Sequence, residues 1–505
     1  MSEFYQAGPS LSNTFESDPL LKKWVQSRFS TAQQTTVLPH LMDCGRKAVT
    51  DWLEASRDAE KHQPELVSFD PWGRRIDEIR LSQGWKFLEA EASREGILAT
   101  AYERQFGALS RPYQMALLYL FHPSSAFVSC PLAMSDGAAR CLEIYGTQEL
   151  KETSFRRLIS RDPKNFWTSG QWMTEKEGGS DVSGTASHAI AEKDGGFKIY
   201  GNKWFTSATT SQMSLLLART DDISSLSMFY VEVRDGQGNL KNIEVHRLKD
   251  KMGTKALPTA ELTMKGTPGI RLGEPGHGVK NITTLLNITR VYNSVCATAH
   301  MRRALDLLNS YSKVRWAFGK RLVDHPLHQN TLHSLEQAWR RCFALVFRVG
   351  ELLGKEETQN MTIEEKAELR AMTPILKLYT AKESMHVTSE VCEGFGGAGY
   401  IEDTGIPVLV RDAQVFSIWE GTTNVLSLDF LRALRKEPGA MEWFQSRCEA
   451  LLKLQGDLAL RQQQQWLQHV LQIFQKDPQA IESHARDLAM AFGYLYGHQL
   501  AQELG

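Results

Sequence analysis

The sequence predicts an α+β protein in which a β-rich middle segment separates two helical segments. Over residues 1–160, apolar residues recur at intervals of three and four after the helix-start signal Asp18-Pro19. Over residues 161–278, short alternating runs are punctuated by glycine and Asp-Gly turns, as in a compact β-domain. Long helical patterns return over residues 279–435 and continue into a tail at 436–505. We therefore expect three domains and an extra helical tail with these boundaries.

Length and charge limit the kinds of molecule that this chain is expected to bind. The chain has 505 residues, enough for about three domains with substantial cores. It carries 58 basic and 59 acidic residues, so no global field draws it to nucleic acid or to an anionic membrane. The tail contains six basic and eight acidic residues, a balance opposite to that of a DNA-binding surface. Nucleic acid is therefore not expected as a partner, and no apolar run reaches membrane-spanning length.

Cysteine usage and the N-terminal composition favour a cytoplasmic protein. The seven cysteines are scattered without a CxxC pair, which is typical of reduced thiols. Acidic residues, and no arginine before Arg28, are the wrong composition for a mitochondrial presequence. His325, His328 and His333 supply no carboxylate or thiolate at ligand spacing, so no metal site is expected.

Three separated stretches carry candidate chemistry. The first, QWMTEKEGGSDVSGT at 171–185, combines hydroxyls, charges and a glycine pair, which suit a loop around a polar planar ligand such as a flavin. The second, GNKWFT at 201–206, ends in an aromatic pair beside a hydroxyl. The third, IWEGTTNVLSL at 418–428, places Glu420 between an indole and a glycine turn. Ordinary turns between strands, and plain strand burial of Trp204, remain alternatives for the first two.

In this order, MTEKxGGSDV, KWFTS and IWEGTTN resemble the acyl-CoA dehydrogenase family, and more narrowly its AidB-type subgroup. The resemblance covers about residues 65–435 and includes FDPWGRRIDEIR at 69–80, RLKDKMGTKALPTAEL at 247–262 and the helix of Arg302 and Arg303. It implies an N-terminal helical domain, a middle β-barrel domain that binds flavin and acyl-CoA, and a C-terminal helical bundle. It also implies FAD as the cofactor and an acyl-CoA or fatty acyl molecule as the ligand.

The resemblance assigns cofactor contacts residue by residue. Thr174 and Thr206 would bond to the edge of the flavin ring, Ser180 would reach its phosphate side and Trp204 would stack on the ring system. The complete set of implied cofactor residues is Gln171, Met173, Thr174, Gly179, Ser180, Trp204, Phe205, Thr206, Arg315, Phe318, Gly396, Gly397, Trp419, Gly421, Thr422 and Asn424.

Some of these contacts would cross between subunits. Arg315 and Phe318 resemble the family residues that reach a neighbour's flavin, and Gly396-Gly397 would approach the adenine end of a partner's FAD. A homotetramer built as a dimer of dimers is therefore implied. The run at 394–399 also matches G-x-G-x-x-G, but residues 377–393 read as a helix, so we expect a helix C-terminus there and not a dinucleotide fingerprint.

The match to I-[YW]-E-G-T gives Glu420 the role of base. It would remove the α-proton of an acyl thioester while hydride leaves the β-carbon for flavin N5. The implied substrate contacts are Ser180, Asn287, Arg290 and Arg432. Asn287 replaces the usual acidic partner of Arg290, and a surface ion pair is the alternative role for this arginine.

Two functions remain open on sequence alone. The first is an FAD-dependent acyl-CoA dehydrogenase. The second is an AidB-like flavoprotein that mainly binds a fatty acyl ligand or nucleic acid and turns over little. Trp419 stands where tyrosine is commoner and follows the AidB-type pattern, whose members are poor dehydrogenases, so an intact site does not imply fast turnover.

Overall fold

The structure is a computed structural model that describes residues 5–476 and 480–504, apart from the side chain of Gln475. The predicted first domain and the predicted tail thus include residues outside the described ranges. The chain divides into two units. The helical unit contains residues up to 50, 104–123 and from 290 onward, and the sheet unit contains 51–103 and 124–289. The four predicted domain boundaries remain a prediction.

Helices make up most of the described chain. In order they are α1 Pro19–Arg28, α2 Thr31–Lys47, α3 Asp51–Lys61, α4 Gln83–Arg94, α5 Ala99–Glu103, α6 Ser110–Phe121, α7 Ser129–Tyr145, α8 Gln148–Leu150, α9 Arg156–Leu158, α10 Gly278–Val314, α11 Pro326–Glu357, α12 Ile363–Gly394, α13 Ile406–Phe416, α14 Thr423–Lys436, α15 Ala440–Leu451, α16 Leu458–Lys476 and α17 Ala485–Leu504. None of these helices is both long and apolar enough to cross a membrane.

The strands form one large sheet and two hairpins. In order they are β1 Glu65–Phe69, β2 Arg75–Arg80, β3 Ser169–Trp172, β4 His188–Ala191, β5 Phe197–Ser207, β6 Met213–Thr220, β7 Ile223–Glu232, β8 Ile243–Leu248, β9 Thr259–Leu272, β10 Trp316–Ala317 and β11 Lys320–Arg321. The short pairs β1–β2 and β10–β11 are the hairpins.

The large sheet closes on itself. Strand β5 pairs with β4 and β9, β9 pairs with β7, β7 pairs with β6, and β6 pairs back with β4. Strands β3 and β8 extend this ring by pairing with β6 and β9. The predicted middle β-domain is therefore a barrel, and a closed barrel leaves few exposed sheet edges.

Strand β6 is buried on both faces. Its successive side chains point in opposite directions, so they pack in two different apolar clusters. Leu215 and Leu217 pack in a cluster that also contains Leu142 of α7. Leu216 and Ala218 pack in a second cluster with Trp172 at the end of β3. The apolar run in β6 thus fixes β3, the strand that leads into the first candidate loop.

The helical unit is organised around α11 and α12, each 32 residues long. Helix α12 begins with a capping box, in which Thr362 and Glu365 each bond to the other's backbone N–H. It ends at Gly394, so the glycine run follows a helix C-terminus as predicted. The predicted helix start at Asp18 is also confirmed, because its carboxylate accepts bonds from the first turn of α1.

Candidate active site

In the sheet unit, the first two candidate stretches lie side by side. The loop at 171–185 leaves strand β3, and Trp204 to Thr206 lie in β5. The backbone N–H of Trp204 donates to the Thr174 carbonyl over 3.0 Å. Residues about 30 positions apart in sequence are thereby joined in one local site.

A buried ion pair joins the same two stretches. Lys203 Nζ lies 2.6 Å from Glu175 Oε1, and the two side chains are 0% and 4% exposed. The Ser187 hydroxyl and the Ala186 N–H also donate to this carboxylate, each over 2.6 Å. Burial alone would raise the pKa of Glu175, but Lys203 and these donors outweigh it and hold the pKa below its usual value.

Sequence analysis missed this pair, although a signal was present. In β5, Ile199 and Lys203 lie on the same side of the strand, the side that is buried. A lysine in such a position needs an acidic partner, since an unpaired buried ammonium is costly. Glu175 stands inside the MTEK motif and is the acid that meets this need.

The aromatic pair is accessible, but one ring face is occupied. Phe205 is 50% exposed and Trp204 is half-buried. Lys249 Nζ lies 3.5 Å from the centre of the Trp204 ring and 2.6 Å from a carboxylate oxygen of Glu261. This cation–π contact covers one face of the indole, so a flavin ring would have to stack on the other face.

The polar groups of the loop differ in exposure. Thr174 is half-buried, and Gly179 and Ser180 are exposed. Thr206 is fully buried, and its hydroxyl donates to the Ala260 carbonyl over 2.9 Å, so this hydroxyl serves the barrel. Gln171 is half-buried and Met173 is 8% exposed. An accessible hydroxyl, glycine amides and two aromatic rings are the groups that a flat polar ring with a phosphate tail needs, so these residues fit a flavin nucleotide.

In the helical unit, Glu420 lies in the turn between α13 and α14. Its φ is +59° and that of Gly421 is +102°, so two successive residues adopt left-handed backbone conformations. Such a conformation is easy for glycine and strained for glutamate. Strain of this kind persists only where the surroundings enforce it.

Two cations hold the backbone of this turn, which we call the Glu420 turn (residues 417–422). Arg290 Nε donates to the Glu420 carbonyl over 3.3 Å. Lys377 Nζ donates to the Gly421 carbonyl over 2.6 Å. The two carbonyls are consecutive, and the two cations come from different helices, α10 and α12.

Asp429 of α14 anchors the arginine. One of its carboxylate oxygens lies 2.8 Å from Arg290 Nη1, and the other lies 2.7 Å from Arg370 Nη2. Burial alone would raise the pKa of Asp429, but Arg370 and Arg290 outweigh it and hold the pKa below its usual value. The side chains of Arg290 and Asp429 are 13% and 11% exposed. Arg290 thus forms an ion pair, as the alternative from the sequence proposed, but the pair is mostly buried and does not lie at the surface.

Asn287 of the sheet unit and the other predicted substrate and cofactor residues of the helical unit are at least partly exposed. Asn287 is half-buried on α10, one turn before Arg290. Arg432 is 65% exposed, 4.0 Å from Asp429. Trp419 is half-buried, whereas Thr422 and Asn424 are exposed.

The residues predicted to reach a neighbouring subunit are accessible. Phe318 is 98% exposed at the tip of the β10–β11 hairpin, where its φ is +48°. Arg315 Nη1 donates to Gln6 over 2.7 Å. Gly396 and Gly397 follow the end of α12, and a Cβ added at either would meet nothing within 4 Å.

Protein-family models match three parts of the chain. Residues 9–162 match the N-terminal domain of the adaptive response protein AidB. Residues 170–267 match the middle domain of acyl-CoA dehydrogenase, and residues 276–434 match its C-terminal domain.

Individual relatives extend the likeness over almost the whole chain. Acyl-CoA dehydrogenase family member 11 of Caenorhabditis elegans is 39% identical over 523 residues, which cover 98% of this chain and 85% of that protein. The solved structure of Caenorhabditis elegans ACDH-11 in complex with C11-CoA has a TM-score of 0.93 at 38% identity and covers 100% of this chain and 91% of its own. The solved apo form of Bd2924 has the same TM-score at 54% identity and covers 99% of each chain. The predicted resemblance and fold class are thus confirmed, and the chain belongs to the acyl-CoA dehydrogenase family, with an AidB-type N-terminal domain.

Proposed function

We propose that this chain is an FAD-dependent acyl-CoA dehydrogenase in which Glu420 removes the α-proton of an acyl thioester. The observation that supports this role most directly is the Glu420 turn. Its two residues with positive φ are held by Arg290 and Lys377 through backbone carbonyls, which leaves the Glu420 side chain outside both of these bonds. A base needs a fixed position relative to the carbon that it deprotonates, and a turn clamped through its main chain provides one.

FAD, when bound, supplies the acceptor for the β-hydrogen. In this chain, the Glu175–Lys203 pair keeps the loop at 171–185 beside strand β5. Thr174, Trp204 and Phe205 would then contact the ring system, and the exposed Ser180 would bond to the phosphate side. The fully buried Thr206 would contribute mainly by holding the end of β5 against Ala260.

An acyl-CoA is the proposed substrate class, since ACDH-11 was solved with C11-CoA. We assign Arg290 to the turn and not to the CoA moiety, because its guanidinium already bonds to Asp429 and to the Glu420 carbonyl. Arg432 keeps 65% of its side chain exposed and is the better candidate for the anionic end of CoA. This division of roles accounts for Asn287 at the position of the usual acid, since Asp429 pairs with Arg290 instead.

A homotetramer with flavin sites shared between subunits is part of the proposal. The almost fully exposed Phe318 and the open surface at Gly396-Gly397 support it, because both would be covered by a partner subunit and its FAD. The cysteine usage supports a cytoplasmic setting.

Anaerobic titration tests the assignment. Protein loaded with FAD is mixed with acyl-CoAs from short to very long, and bleaching of the flavin absorbance is recorded. We expect a long or branched acyl-CoA to bleach the wild type, Glu420→Gln to bind the same thioester without bleaching, and Glu449→Gln, an exposed change on α15, to bleach normally.

A second candidate function is ligand binding with little turnover. Trp419 and the AidB-type N-terminal domain favour it. Acyl-CoAs that shift the flavin spectrum of the wild type but never bleach it would support this binding function and contradict the dehydrogenase.

A further inference from the structure

Lys377 is an unusual residue for the interior of a helical bundle. It lies in the middle of α12 with 0% of its side chain exposed, and its ammonium bonds to a backbone carbonyl, that of Gly421. Burying an ammonium is costly, and an apolar side chain of similar volume would serve packing alone at least as well. The position of Lys377 therefore calls for a role beyond packing.

The surroundings of Lys377 connect it to the base. Glu420 of the turn attracts its charge, while Arg290 of α10 and Lys382 of α12 repel it. Asp429 of α14 offsets part of that repulsion, because it pairs with Arg290. Lys377 thus shares one charge cluster with Glu420.

The backbone geometry indicates what the bond from Lys377 to the Gly421 carbonyl does. Glu420 has a left-handed φ, which is strained for a residue with a side chain, so the turn needs external support. Arg290 holds the carbonyl of Glu420, and Lys377 holds the carbonyl of the residue that follows. With the Gly421 carbonyl released, the peptide unit between Gly421 and Thr422 could rotate, and the strained turn could relax and swing the Glu420 carboxylate away.

We infer that Lys377 is a positioning residue for the base: by holding the Gly421 carbonyl, its ammonium keeps the Glu420 carboxylate in the geometry for α-proton removal. This inference rests on the proposed dehydrogenase function. It adds a residue that touches neither substrate nor cofactor and that acts only through the turn.

The charge of Lys377 gives the inference a pH dependence. Burial lowers the pKa of Lys377 to about 7, with Glu420 opposing the shift and Arg290 and Lys382 adding to it. Below pH 7 the ammonium holds the carbonyl through a charge-assisted bond, and above pH 7 that bond weakens as the charge is lost. The rate of flavin reduction should therefore fall as the pH rises past 7.

The test compares FAD-loaded wild type, Lys377→Met, Lys377→Arg and the control Lys366→Met, which changes an exposed lysine of the same helix. We expect Lys377→Met to slow anaerobic flavin reduction on the order of tenfold to a hundredfold at pH 6, with acyl-CoA affinity within about twofold of wild type. Lys377→Arg should recover part of the rate and lose the alkaline decline, since guanidinium stays charged. Lys366→Met should match the wild type throughout.

Amide hydrogen exchange provides a readout that needs no turnover. The peptide covering residues 417–424 should exchange faster in Lys377→Met than in wild type or Lys366→Met. Unchanged exchange there, or a wild-type rate with an unchanged pH profile in Lys377→Met, overturns the inference. A wild type that no acyl-CoA bleaches overturns the proposed function instead, and the exchange experiment still decides whether Lys377 holds the turn. If Lys377→Met does not fold, the pH profile of Lys377→Arg decides: an unmoved alkaline decline refutes the role of Lys377.

Discussion

The Lys203 ammonium lies 2.6 Å from the Glu175 carboxylate, and both side chains are buried. Glu175 belongs to the MTEK loop and Lys203 to strand β5, so one ion pair holds together the two stretches that we assign to the flavin. Buried pairs contribute little net stability relative to apolar residues, but breaking one is expensive. The pair therefore makes the geometry of the loop dependent on two residues outside the predicted cofactor contacts.

Replacing Lys203 with methionine should lower the free energy of unfolding by about 3–5 kcal/mol, because Glu175 would remain as a buried and uncompensated charge. Denaturant unfolding measures the loss, and the flavin content of the purified variant should fall with it. Lys198→Met is the matched control, since this lysine of the same strand pairs with Glu192 at the surface, and its replacement should lower the free energy of unfolding far less. Equal losses in the two variants would contradict a special role for the buried pair.

Asp429→Asn should destabilise the helical unit by about 3 kcal/mol and slow flavin reduction. The change removes the charge that Arg290 and Arg370 share, and Arg290 would then be held less firmly against the Glu420 carbonyl. Thermal unfolding and anaerobic stopped-flow reduction measure the two effects. Asp403→Asn, at an exposed position of the same unit, should change neither, and a wild-type reduction rate in Asp429→Asn would disprove the link to the turn.

Gly421→Ala should lower the free energy of unfolding, measured with denaturant, by about 1–2 kcal/mol, because alanine is strained at a φ of +102°. The added Cβ would also lie 3.2 Å from a methyl carbon of Leu426. We expect slower flavin reduction by this variant as the turn relaxes. Gly236→Ala changes an open glycine without positive φ and should leave stability within about 0.5 kcal/mol of wild type. Full activity in Gly421→Ala would show that the turn tolerates relaxation.

Lys377→Met should alter how stability depends on pH. The folded-state pKa of Lys377 is about 7, below its value in the unfolded chain, so the unfolded state binds more protons between about pH 7 and pH 10. The contribution of Lys377 to stability is therefore most unfavourable below pH 7 and improves as the pH rises, by at most about 1.4 kcal/mol per pH unit. Denaturant unfolding at pH 7, 8 and 9 should show that the free energy of unfolding of the wild type rises relative to that of Lys377→Met. Parallel curves for the two proteins would mean that burial does not lower the pKa of Lys377 into this pH range.

Sequence patterns were sufficient for the local elements. Alternating runs and Asp-Gly turns predicted the β-rich segment at 161–278 in which β3 to β9 lie, and Asp18-Pro19 predicted the start of α1. The hairpin of β1 and β2 was not predicted, since its FDPWGRRIDEIR segment has neither an apolar run nor a two-residue glycine turn. Its stability comes from contacts made elsewhere in the sheet unit, such as the bond from the Val245 N–H to Asp77.

The candidate residues were predicted by motif, whereas their partners were not. Lys377 and Arg370 of α12 and Asp429 of α14 belong to no motif. Their importance comes from the charges that these two helices and α10 bring together. Asp429 left a trace, because it shares the buried face of α14 with Leu426 and Phe430. Lys377 left a similar trace inside a long apolar stretch of α12. Buried charges within amphipathic patterns are thus a signal that predicts paired sites before their partners are known.

The clamp on the Glu420 turn acts on main-chain oxygens, and every amino acid has those. A descendant chain could therefore exchange the glutamate for another residue and still inherit the shape of the turn. Loss of chemistry would then leave behind a receptor for acyl thioesters with its architecture preserved. A single amino-acid substitution would in that case convert an enzyme into a sensor of acyl thioesters.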